Sequence, residues 1–88
     1  MLRDHEELDV TVVAAALVGV KVEVDGAEGV FGFIDQVKHP SWRDADVAPP
    51  RAGDRLHVCV LDAGREPLPR LSALEDDIAT ARRLRGEA

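Results

Sequence analysis

The chain has 88 residues, which is one domain, because two cores would not fit in so short a chain. The formal charge of −6 lies in the first part: residues 1–37 hold two bases, Arg3 and Lys21, against eight acids, whereas 38–70 hold six bases against five. That balance excludes a protein basic overall, the usual footprint of a nucleic-acid binder, and any basic surface must be local.

Residues 1–7 are charged and aperiodic and are expected as a flexible arm. The acids there leave no room for a secretion signal, and the longest apolar run, Val12 to Val20, is too short to span a bilayer. From Leu8 the sequence turns β-branched, and a first strand is expected to run through Ala14–Val18 into a bend. Gly19-Val20-Lys21-Val22-Glu23-Val24 alternates as a half-buried second strand, and Asp25-Gly26 signals a hairpin. Glu28-Gly29-Val30-Phe31-Gly32-Phe33-Ile34-Asp35 reads as the third strand, with glycines suited to a barrel corner.

Residues 36–53 carry three prolines and form a long connection, a length that is usually functional or disordered. Asp54 to Asp62 alternates again as a fourth strand, and Leu68-Pro69-Arg70-Leu71 makes a short fifth. Ser72-Ala73-Leu74-Glu75 reads as a capping box. Leu74, Ile78, Ala81 and Leu84 then make one helical stripe that ends at Gly86. The expected organisation is an arm over 1–7, an all-β, five-stranded OB-type barrel over 8–72 and a short C-terminal α-helix over 73–86.

Three segments carry a family resemblance. They are the hairpin from Gly19 to Ile34, the stretch Ala52-Gly53-Asp54-Arg55-Leu56-His57-Val58-Cys59-Val60-Leu61-Asp62, and Arg70-Leu71-Ser72. In that order they resemble the ribosomal-protein S-one type of RNA-binding OB domain, over about two thirds of the chain. The resemblance implies a non-catalytic module for single-stranded RNA. The chain departs from it at the gripping positions. The family's two aromatics fall on Val18 and Lys21, its His on Gly32, and its Asp and Arg near Gly64 and Leu68. Weak binding is therefore expected.

The candidate RNA-contact residues are Phe31, Phe33, Lys38, His39, Trp42, Arg43 and Arg55. Phe31 and Phe33 share one face and either stack bases or fill the barrel. Trp42 with Lys38, His39 and Arg43 forms a cluster that can stack a base and pair with phosphate, unless Trp42 plugs the barrel end. Arg55, with Arg51, Arg65 and Arg70, can extend a basic stripe on the fourth and fifth strands, unless these arginines stand separately solvated or paired. The alternative is a protein-interaction module that uses the acidic surface and the terminal helix. No metal, cofactor or catalytic constellation is expected: His5, His39, His57 and Cys59 lack zinc spacing, and no activated nucleophile is visible. The lone Cys59 reads as core filler in a reducing cytoplasm, with no membrane partner.

Overall fold

The structure is a computed structural model in which residues 2–86 are described. Five strands, β1 (Glu7–Ala16), β2 (Gly19–Val24), β3 (Phe31–Asp35), β4 (Arg55–Asp62) and β5 (Arg70–Ser72), precede one helix, α1 (Glu75–Leu84). They close into a barrel in the order β1-β2-β3-β5-β4, with β4 returning to β1. All pairings are antiparallel except β3 with β5. This is the small OB-type barrel that the alternating strands predict.

Alternation sets the inside. Val10, Val12, Val20, Val22, Ile34, Val58, Val60 and Leu71 are almost wholly buried and form one core. In β2 and β3 the inward residues are Val20, Val22 and Val24, then Gly32 and Ile34. Gly32 must be small: a Cβ there would lie 2.6 Å from Leu71 Cδ1. A bulge between Val12 and Ala14 bends β1 and shifts its register on β2. Past the bulge, residues 13–18 are exposed, which explains why the Ala-rich run extends the strand and contributes nothing to the core.

Two expectations change. The arm is tied to the barrel. His5 N donates to the Val60 carbonyl at 2.8 Å, Ala63 N donates to Asp4 Oδ1 at 2.7 Å, and Glu7 opens β1 opposite Cys59. The capping box does not form. Ser72 is a fully buried β5 residue whose hydroxyl donates to Asp77 Oδ2 at 2.7 Å and accepts from Leu74 N, while α1 starts with no side-chain cap. The long connection is ordered into two 3₁₀ turns, Gln36–Lys38 and Pro40–Trp42, and its end is pinned to β1 by Gly53 N donating to the Val12 carbonyl.

Helix α1 lies on β4. Ile78 and Ala81 pack on Cys59, which is buried as expected, and burial pushes its thiol pKa up. Glu7 fastens the far end: it accepts from Arg82 at 2.8 and 2.9 Å, from Arg85, and from His57 Nε2 at 2.7 Å. The arginines hold the Glu7 carboxyl well below the usual carboxylate range.

Candidate functional site

Because Gly32 and Ile34 face inward, Phe31 and Phe33 face outward. The reading in which they fill the barrel is excluded. Each ring stands beside a cation: Lys21 Nζ lies 4.4 Å from the Phe31 centroid, and the Arg70 guanidinium carbon lies 4.6 Å from that of Phe33. Lys21 reaches this face because it sits opposite Phe33 in the β2–β3 register, and Arg70 because it sits opposite Phe33 in β5. Gly19 makes room for the Phe33 ring. A Cβ on Gly19 would come within 2.6 Å of that ring and 2.3 Å of the Ile34 carbonyl oxygen, at a backbone φ of +151°.

Beside this stack is a cavity of about 280 Å³, lined by Val18, Phe33, Asp35, Pro67, Leu68 and Arg70. Its walls come from the β1–β2 turn, β3, the β4–β5 loop and β5. The turn presents Leu17 and Val18 to solvent, 91 % and 65 % exposed. Leu17 also lines a second cavity of about 180 Å³ with Trp42, Pro49, Pro50, His39 and Ser41. The two apolar hollows therefore meet across the Leu17–Val18 turn.

The cluster predicted around Trp42 divides. Trp42 is 57 % exposed, so it does not plug the barrel, and Arg43 is exposed beside it. His39 is buried, and its Nδ1 accepts from Ser41 N at 3.1 Å. Burial lowers its pKa and holds the ring neutral, so it offers phosphate no charge. Lys38 forms a part-buried salt bridge with Asp77 of α1, 3.0 Å long, and acts as a strut between loop and helix. Arg55 also fails as a free cation. Its Nε and Nη2 both donate to Asp25 Oδ2, at 3.0 and 2.8 Å, and Thr11 donates to the same carboxylate. The Thr11 hydroxyl and the Arg55 guanidinium lower the Asp25 pKa.

Lys21, Asp35 and Leu68 belong to the face although they were not among the candidates, and so does Arg70, which the sequence offers as part of a basic stripe. For Lys21 and Asp35 the signal was parity. Once Ile34 is taken as core, every second residue of β3 and its register partner in β2 must point outward. Among the described residues, no group of three His, Cys, Asp or Glu side chains could hold a metal ion, and no helix is long and apolar enough to cross a membrane.

No family model and no curated relative matches the sequence. Solved structures do. A chain of the a/eIF2alpha–aDim2p–rRNA complex from Pyrococcus horikoshii OT3 aligns with a TM-score of 0.67 at 18 % identity, over 94 % of this chain and 52 % of that one. A multidomain protein with nucleic acid binding domains from Streptococcus pneumoniae TIGR4 aligns with a TM-score of 0.64 at 19 % identity, over 94 % of this chain and 30 % of that one. The chain thus spans about half and about a third of these neighbours. At such identity the likeness establishes the fold, a five-stranded OB-type barrel.

Proposed function

We propose that this chain is a non-catalytic, S-one-like OB module that binds single-stranded RNA weakly, in the cytoplasm, along the outer face of β2 and β3. The observation that carries the reading is the pair Phe31 and Phe33, both turned outward and each flanked by a cation. OB barrels bind oligonucleotides on this strand face and on the β1–β2 and β4–β5 loops, and the larger apolar hollow lies between those loops. The two fold neighbours come from a complex containing rRNA and from a protein with nucleic acid binding domains, which supports the same class of ligand. The S-one reading gains from Arg70, an arginine on this face two residues past the position the resemblance gives it.

The rival reading, a protein-interaction module that works through its terminal helix, is weakened by what that helix already does. Ile78 and Ala81 are spent on Cys59, Asp77 on Lys38, and Arg82 and Arg85 on Glu7.

The test is fluorescence anisotropy of a short mixed-sequence RNA at low salt, with wild type, Phe33→Ala and Phe31→Ala. Stacking on an aromatic contributes about 1–3 kcal/mol per base, so each variant loses roughly 5- to 150-fold in affinity. Absence of binding at high micromolar protein, or binding by both variants as tight as that of wild type, sinks the proposal.

A further inference from the structure

The cavity beside Phe33 ends in an unusual pair. Arg70 Nη1 stands 3.4 Å from Asp35 Oδ1, longer than the roughly 2.7–2.9 Å of a tight charge-assisted hydrogen bond. The Asp35 side chain is 50 % exposed. Arg70 has only this long contact and the face of Phe33, and its Nε is buried with no hydrogen-bond partner among the described residues. Two acceptor oxygens and a guanidinium with donors to spare are therefore displayed side by side at an apolar hollow.

That display has a direction. A carboxylate next to a guanidinium offers acceptor, acceptor, donor. The complementary row of donor, donor, acceptor occurs on one natural RNA base, guanine, as its N2 amino group, N1–H and O6. Adenine and cytosine put a single donor group next to an acceptor nitrogen, and uracil flanks one N–H with two carbonyls. None of the three gives a carboxylate two adjacent donors. Size agrees as well: about 280 Å³ falls just below the roughly 300–1,000 Å³ of pockets that hold drug-sized ligands, which suits one base with Val18, Pro67 and Leu68 as apolar flanks.

We propose that this cavity is a guanine subsite in which Asp35 accepts from N1–H and the N2 amino group while Arg70 donates to O6. The inference rests on the RNA-binding reading above and goes further, assigning that face a base preference. It makes Asp35, an acid on a surface meant for an acidic polymer, the group that selects the base. A site built to hydrogen-bond a substrate group discriminates strongly, because the wrong ligand leaves its polar atoms unpaired.

The experiment uses uridine hexamers carrying a single guanosine, inosine, adenosine or cytidine at the third position, with the all-uridine hexamer as reference, read by anisotropy at low salt. A good bidentate pair discriminates by about 5- to 150-fold, and the guanosine hexamer is expected to bind tighter than the adenosine, cytidine and uridine ones by a factor in that range. Inosine, which lacks the N2 amino group, falls between. Asp35→Asn removes the guanosine preference, so that the guanosine and uridine hexamers bind that variant alike. The inosine arm reads the same contact in unaltered protein, should that variant fold poorly. Equal affinity for all hexamers overturns the guanine subsite and leaves the RNA reading standing. No binding of any hexamer at high micromolar protein overturns both.

Discussion

Gly19→Ala tests how the face is built. The added methyl would sit 2.3 Å from the Ile34 carbonyl oxygen, where carbon–oxygen contacts in sheets settle at about 3.3–3.6 Å. The obstacle is backbone, so β2 and β3 must part by about 1 Å next to the core residue Ile34. Overpacking of this kind costs about 1–3 kcal/mol. An L-residue held at φ +151° adds about 1–3 kcal/mol of strain. The expected loss is about 4 kcal/mol, a large part of the roughly 4–13 kcal/mol available to a domain this size. Urea melts followed by circular dichroism measure it as a lower midpoint with an unchanged slope. Gly26→Ala is the control: its φ is +77° with nothing within 4 Å of the added carbon, so it carries strain without collision. If Gly19→Ala loses less stability than Gly26→Ala, the close approach of Phe33 and Ile34 to Gly19 is refuted, and with it the seat of the Phe33 ring.

Two histidines pull stability in opposite directions with pH. Glu7 and then Asp9 raise the His57 pKa above 6.5, so its contribution is complete below 6.5 and is lost as pH rises through the folded value; His57→Gln removes that alkaline decline from urea midpoints. Burial lowers the His39 pKa, so its contribution is present above 6.5 and lost as pH falls toward the folded value. In His57→Gln the midpoint should therefore rise with pH across this range, and a flat profile counts against a buried neutral His39. Lys38→Met should lower the melting temperature by loosening α1 while leaving RNA affinity unchanged in anisotropy, because Lys38 is committed to Asp77; a matching loss of affinity would return Lys38 to the binding face. With Arg70 turned to the base and Lys21 left as the phosphate-facing cation of this face, the log–log salt slope for a single strand should be about −0.7, at about 0.7 per contact, and a slope several times steeper would place the binding surface elsewhere.

The barrel was legible because alternation is a strong signal when one face is buried: Val20, Val22, Val24 and Val58, Val60 mark the inside with no help from tertiary context. The fate of charged side chains was not, because it depends on partners distant in sequence. Lys38 meets Asp77 across 39 residues and Arg55 meets Asp25 across 30. The terminal segment misled for the same reason: Glu7 looks like part of a solvated run until Arg82 and Arg85 arrive from the other end. Phe31 and Phe33 were found by type, but their direction needed the inward position of Gly32, which a glycine cannot announce by its own hydropathy. Leu71 filling the space of a Cβ is what reveals it.

These pairings also resolve how an acidic chain can present a face to RNA. The charge of −6 is not spread evenly over the surface. Glu7, Asp25 and Asp77, three of its acids, are bound to arginines, a histidine or a lysine. The cations that look most available in the sequence, Lys38 and Arg55, are the ones consumed by this pairing. What remains around Phe31 and Phe33 is Lys21, Arg70 and two acids: Glu23, the register partner of Phe31, which accepts from Gly29 N, and Asp35, which is only loosely engaged. Two cations neutralise few phosphates, so counterion release cannot supply strong affinity. The face must rely on ring stacking and on the hydrogen-bonding edge of the base. A module with that division binds weakly, responds little to salt, and can afford a carboxylate in its site, because there the carboxylate serves selection.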